Sequence, residues 1–196
     1  MYKKFIKRII DIALSLLTLP LIILLIIIIG GLIFFEDRGS IFYIAPRLGK
    51  NGKTFKMYKF RSMKENAQDL RNEDGSTFNA EDDPRLTKIG KIIRETSIDE
   101  LPQLLNVLKG DMSLIGPRPD LPEHMQLYEG NEARKLEIKP GITGYSQAYF
   151  RNSIPWKERI QNDIYYIDNL TFIMDVKIIL QTIKSIVKKD NVYIEG

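Results

Sequence analysis

IALSLLTLPLIILLIIIIGGLIFF, residues 12–35, runs for twenty-four residues without a charge and carries one proline, Pro20. A helix needs ~20 apolar residues to cross ~30 Å of hydrocarbon, so length alone admits a membrane crossing. Pro20 complicates it. A proline inside a helix lacks an N–H and crowds the carbonyl four residues back, here Leu16, in a medium that cannot solvate the groups it frees. Ser15 and Thr18 are placed to offer hydroxyls to those carbonyls. The two arms, Ile9 to Leu19 and Pro20 to Phe35, would be ~16 and ~24 Å long at a rise of ~1.5 Å per residue, and neither crosses the core comfortably. Lys3, Lys4, Lys7 and Arg8 precede the run, and Arg38, Arg47, Lys50, Lys53, Lys56, Lys59, Arg61 and Lys64 follow it. Positive-inside counting puts both flanks in the cytoplasm. A helix that enters, bends at Pro20 and returns satisfies both flanks, whereas a straight span leaves one outside. The run is also longer than the ~7–15 apolar residues of a signal peptide, and no small-residue cleavage site follows it.

Working outward, the 196 residues divide into a membrane anchor, 1–36, and one cytoplasmic domain, 37–196, large enough to bury a core. The chain has no cysteine, which excludes disulfides and thiolate metal sites, and its one histidine, His124, removes His-rich zinc sites and disfavours a Ser-His-Asp triad. Lying alone in a polar stretch, His124 is expected at the surface. Any metal should be a hard ion held by carboxylates. Residues 1–65 carry 12 Lys and Arg against 4 Asp and Glu, and residues 66–196 carry 17 against 21. The basic part thus adjoins the apolar run, as expected of a protein seated on the anionic lipids of the inner leaflet. No nucleic-acid motif accompanies the basic clusters, so nucleic acid is not an expected partner.

Past the anchor, Ile41 to Ala45 and Thr54 to Phe60 read as strands of a hairpin about Lys50-Asn51-Gly52-Lys53, where Asn-Gly suits a tight turn. Lys64 to Pro84 reads as a polar surface loop. Helices are expected at Leu86 to Glu95, at Pro102 to Lys109 with Gly110 as its stop, and at Glu123 to Leu136. Val176, Ile179, Leu180, Ile183, Ile186 and Val187 share one face of a C-terminal helix, with Lys177, Lys184 and Lys188 elsewhere on the wheel. Packing on the core is the simpler use of that face; lying in the membrane interface is the other. The fold expected is α+β and mainly helical: a re-entrant membrane helix bent at Pro20, a small β-hairpin, and a compact cytoplasmic domain with interfacial amphipathic helices.

The densest polar cluster is Arg94 to Gln103, followed by Lys109 to Ser113 and Gly116-Pro117-Arg118-Pro119. Pro102 biases Leu101 away from the helical region, which places Asp99 and Glu100 in the turn ahead of a helix, where negative charge is favoured. Ser97-x-x-Glu100 is equally a capping-box pattern. Paired carboxylates in a membrane-docked domain, with Lys59, Arg61 and Arg118 available, offer a nucleophile, a metal ligand and cations suited to phosphate oxygens.

Phe55 to Met63, Ser97 to Gln103, Gly110 to Pro119 and Lys139 to Gly144, in that order, resemble the bacterial sugar transferases known as monotopic phosphoglycosyl transferases, and the resemblance covers nearly the whole chain. It implies transfer of a sugar-1-phosphate from a UDP-sugar to undecaprenyl phosphate at the cytoplasmic face of the bacterial inner membrane, with release of UMP. It further implies that Asp99 attacks the sugar-bearing phosphate and forms a covalent intermediate, and that Glu100 helps hold Mg²⁺. Lys59, Arg61, Arg94, Arg118 and Arg151 are the candidates for phosphate or nucleotide contacts, Arg151 because Arg151 to Trp156 resembles a donor-side segment of the family. Relatives often carry a small polar residue directly before the anchor's proline, where Leu19 stands here with Thr18 one position earlier. A membrane-associated phosphohydrolase and a non-catalytic membrane scaffold are the competing classes.

Overall fold

The apolar run forms part of a single helix. In the computed structural model, which describes residues 1–70, 78, 80 and 82–188, helix α1, Lys7–Asp37, runs unbroken for 31 residues with Pro20 inside it. Thr18 donates its hydroxyl to the carbonyls of Leu14, at 2.9 Å, and Ser15, at 3.2 Å. The hydroxyl of Ser15 is fully buried and has no hydrogen-bond partner among the described residues. The hydroxyl contribution expected of this pair therefore falls to Thr18 alone, on carbonyls two and one residues before that of Leu16. Asp11, Ser15, Ile22, Ile29 and Ile33 are buried, a stripe spaced at four and seven residues, while Leu17, Leu21, Ile27 and Phe35 are among the exposed side chains. Only 17% of the most apolar window is buried, which is unlike the core helix of a water-soluble protein.

Both ends of α1 are bonded to the rest of the chain. Near its start, Lys7 pairs with Asp175 at 2.7 Å, Arg8 donates to the Val107 carbonyl at 2.7 Å, and Asp11 accepts from the Ser113 hydroxyl and the Leu114 amide. At its end, Glu36 accepts from the amides of Lys88 and Ile89, and Asp37 pairs with Arg61.

Strands β1, Phe42–Leu48, and β2, Thr54–Phe60, form the antiparallel hairpin, in register from Phe42 opposite Phe60 to Leu48 opposite Thr54. Asn51 and Gly52 both take positive φ in its turn, the conformation that an Asn-Gly pair supplies at low cost. β1 begins one residue later than expected and continues three further through Pro46, which an outer strand tolerates. The hairpin is tied down by Phe60, which is buried against Ile29, Ile33 and Ile93.

Helix α2, Lys88–Glu95, starts on the hydroxyl of Thr87, which caps the Gly90 amide. It approaches the end of β2 so closely that a β-carbon on Gly90 would fall 1.8 Å from the Ser62 carbonyl oxygen, so only glycine fits there. Helix α3, Gln103–Lys109, docks on the free edge of β2 through Asn106, whose side chain accepts from the Tyr58 amide and donates to the Lys56 carbonyl. In effect the Asn106 amide supplies hydrogen bonds that a third strand would have made.

A short parallel pair follows, β3, Ser113–Ile115, with β4, Gly141–Thr143. Between them, the helix expected from Glu123 to Leu136 is replaced by two 3-10 turns, Pro122–Leu127 and Glu132–Glu137, with the chain turning at Gly130. His124 lies in the first of these and is buried edge-on against Trp156, not at the surface. Helices α4, Tyr145–Tyr149, α5, Trp156–Asp168, and α6, Phe172–Lys188, complete the described fold.

Tyr166, Ile167, Leu170 and Ile178 join Ile115 and Ala148 in the second core. The apolar face of α6 is not spent there: Val176, Leu180, Ile183 and Val187 are exposed, and the stripe turned inward is Asp175, Ile178 and Ser185. Asp175 can be buried because Tyr2, Lys7 and Tyr166 all donate to it. Of the expected polar loop, residues 71–77, 79 and 81 lie outside the described residues.

Candidate active site

Asp99 and Glu100 sit on a 3-10 turn, Ile98–Glu100, between α2 and α3. That is the position expected, but the reason differs. Leu101 has helical backbone angles despite preceding Pro102, and the break comes instead at Ser97, with φ 57°. The capping box is not formed either: Ser97 makes no side-chain cap, and its hydroxyl accepts a hydrogen bond from Arg151 at 2.9 Å. Arg151 also has positive φ, so two left-handed non-glycine residues support each other behind the dyad.

β2 brings Lys59 to the carboxylates. Its ammonium donates to Glu100 Oε1 at 2.6 Å and lies 3.8 Å from Asp99 Oδ2. Arg118, on the turn after β3, approaches the same Glu100 oxygen at 3.4 Å with a half-exposed side chain. The two neighbouring acids are therefore treated unequally. Glu100 receives both cations, while Asp99, 7% exposed, has no hydrogen-bond partner among the described residues.

Burial pushes the Asp99 carboxyl above the usual range, with the Glu100 charge adding to the rise and Lys59, Arg94 and Arg118 opposing it. Burial acts on Glu100 in the same direction but is outweighed by Lys59 and Arg118, which hold its carboxyl well below that range. One carboxylate is thus fixed as an anion within an ion-pair network. The other keeps its oxygen lone pairs available to an incoming electrophile.

The remaining candidates are placed farther from the chemistry. Arg94, in the last turn of α2, acts on Asp99 through its charge. Arg151 reaches Ser97 rather than the dyad. Arg61, two residues past Lys59, is buried and donates to both oxygens of Asp37 and to the carbonyls of Ser40 and Met63. It anchors the end of α1 to the end of β2. Glu36, which sequence reasoning passed over, does the same for α2. An acid directly ending an apolar run was the signal available. The last turn of α1 therefore holds two walls of the site, the strand carrying Lys59 and the helix leading to Asp99.

Among the described residues no group of three or more carboxylates or histidines is arranged for a metal. Glu100, beside Asp99, is the candidate donor here. That suits Mg²⁺, which commonly takes one or two carboxylates and completes its shell with water and substrate phosphates.

The family model for the bacterial sugar transferases matches residues 2–189. The chain is 40% identical to an uncharacterized sugar transferase, EpsL, of Bacillus subtilis, over 95% of this chain and 89% of that protein. It is 37% identical to the exopolysaccharide production protein ExoY of Sinorhizobium fredii, over 92% and 84%. It is 38% identical to the undecaprenyl-phosphate galactose phosphotransferase of Salmonella typhimurium, over 97% of this chain and 42% of that longer protein.

The geometry separates a buried arginine, Arg61, from a half-exposed one beside Glu100, Arg118. Arg61→Met should lower unfolding stability by about 1–3 kcal/mol, because it removes a buried guanidinium that donates to the Asp37 carboxylate and two carbonyls. Arg118→Met should stay within about 0.5 kcal/mol, because its side chain is half exposed. Thermal or denaturant unfolding in detergent micelles checks both.

Proposed function

The chain belongs to the bacterial sugar transferase family, and from that premise we propose that it passes a sugar-1-phosphate from a UDP-sugar to undecaprenyl phosphate in two steps, through an intermediate on Asp99. The observation that carries this reading is the unequal dyad: an uncommitted buried carboxylate beside one held ionic by Lys59 and Arg118. In the first step an Asp99 oxygen attacks the phosphorus bearing the sugar. The bond from that phosphorus to the bridging oxygen breaks, and UMP leaves with the bridging oxygen. In the second, a phosphate oxygen of undecaprenyl phosphate attacks the same phosphorus and the Asp99 carboxylate departs unchanged. Dividing the transfer lets the soluble donor's nucleotide leave before the lipid acceptor enters, which gives ping-pong kinetics.

Lys59 and Arg118 stand where a diphosphate must approach two acids, and their charge offsets the repulsion that an anionic donor would meet. Glu100, with Asp99 beside it, would hold Mg²⁺, which when bound polarises phosphate oxygens and offsets charge on the leaving group.

The anchor reading goes with this. What supports re-entry is that both ends of α1 bond the same polar domain, with basic residues beyond both ends. The cytoplasmic domain of residues 37–196 would then sit on the inner leaflet with the exposed faces of α1 and α6 in lipid.

Asp99→Asn should reduce UMP release by at least about 10³-fold while leaving the protein in the membrane fraction, and retention of substantial turnover would remove Asp99 as nucleophile. Asp99 must be ionised to attack, so kcat/KM should rise with pH through a limb above the ordinary carboxylate value of ~4. Lys59→Met removes a charge that pulls the Asp99 carboxyl down, so this limb should move to higher pH; a downward move would contradict the assignment. Because the chain has no cysteine, a single cysteine inserted directly after Met1 gives a clean topology test. Membrane-impermeant maleimide should label it only after the cells are opened, and labelling of intact spheroplasts would restore a straight span.

A further inference from the structure

Arg118 reaches Glu100 on a flexible side chain, yet the backbone that carries it is pinned on both sides. The Gly116 amide donates to the Thr143 carbonyl, the Gly141 amide to the Pro117 carbonyl, and the Leu48 amide to the Asp120 carbonyl, at 2.8 to 2.9 Å. Two residues beyond Arg118, the buried Asp120 carboxylate accepts from Lys135 Nζ at 2.6 Å, from the Tyr128 hydroxyl at 2.8 Å and from Trp156 Nε1 at 3.1 Å. The Lys135 ammonium, 3% exposed, also lies 3.2 Å from Asp163, itself 1% exposed. One buried cation thus joins two buried acids drawn from the turn after β3 and from α5.

Burying three charges costs several kcal/mol per ion, and apolar residues of similar volume often serve a core as well or better. Stability alone therefore gives weak grounds for this trio. What the trio does accomplish is to fix the direction in which the Pro117–Asp120 segment leaves β3. Burial pushes the Asp163 carboxyl up, with the Lys135 charge opposing the rise and the Asp120 charge adding to it.

We propose that the buried Asp120–Lys135 pair positions Arg118 against Glu100, so that Lys135 is a positioning residue for transfer although it lies behind the site. The proposal rests on the sugar-transfer reading for its assay. UMP release with UDP-sugar and undecaprenyl phosphate is measured for wild type, Lys135→Met, Arg118→Ala and the double variant, with thermal unfolding of each. Misplacement of a site group by about 1 Å can cost on the order of 10²-fold, so Lys135→Met should lower kcat/KM about 10- to 100-fold alone. In the Arg118→Ala background its effect should shrink below about twofold, because the group it positions is gone.

A purely structural role predicts the same loss in both backgrounds, and that result overturns the proposal. Where Lys135→Met shows no cooperative unfolding, Tyr128→Phe carries the test, since it removes one hydrogen bond to Asp120 and keeps the ring. Its loss, about threefold for one bond, must likewise vanish with Arg118→Ala; an equal loss in both backgrounds, or none, overturns the proposal. Absence of UMP release by wild type would instead defeat the transfer reading and with it the role given to Arg118.

Discussion

A helix too apolar for water is held at both ends by a domain that needs water, and the remaining architecture accommodates that conflict. Twelve large apolar side chains of α1 are exposed, from Ile9 to Phe35. At ~1.5–3 kcal/mol for full burial of each, even partial immersion in lipid provides on the order of 10 kcal/mol. The polar ties at the two ends contribute ~1–3 kcal/mol apiece, so they cannot decide where the helix resides. They decide how the domain is oriented against it. Lipid supplies the affinity, and Lys7, Asp11, Glu36 and Asp37 supply the geometry.

Within the site, the working distinction is between two carboxylates that differ by one position in the chain. Both are desolvated, and desolvation alone would raise both. The difference comes from direction. Lys59 and Arg118 converge on one oxygen of Glu100, and the left-handed residue at Ser97 sets the turn so that Asp99 stays close to the ammonium without bonding it. A site that bonded both acids equally would leave neither carboxylate free, and one that bonded neither would repel an anion.

Much of this was legible in the chain because it rests on local rules. Asn51-Gly52 announces its turn, Thr54 to Phe60 its strand, and Gly110 the end of α3, since each depends on backbone preferences of one or two residues. The dyad's place before α3 was legible too, although the expected effect of Pro102 on Leu101 is overridden by the packed turn. What escaped depends on tertiary partners. α5 went unrecognised because its buried Trp156, Ile160, Ile164 and Ile167 are interspersed with Asp, Asn and Tyr; the three- and four-residue spacing of the apolar set was the signal. Burial of His124 requires Trp156, 32 residues on, and the diversion of Arg61 to Asp37 requires the end of α1. Neither is written in spacing along the chain.

The carboxylate of Glu36 makes the boundary between anchor and domain a poor place to cut. It caps two amides of α2, the helix whose far end leads into the dyad, and Asp37 beside it fills the guanidinium that closes β2. A soluble truncation starting after residue 37 would leave those amides and Arg61 open and would lose the contacts made by Lys7 and Asp11 with the second half of the fold. The membrane segment is in this sense a portion of the enzyme's interior that happens to be solvated by lipid. Detergent or lipid that distorts its last turn would reach the chemistry without touching a catalytic side chain.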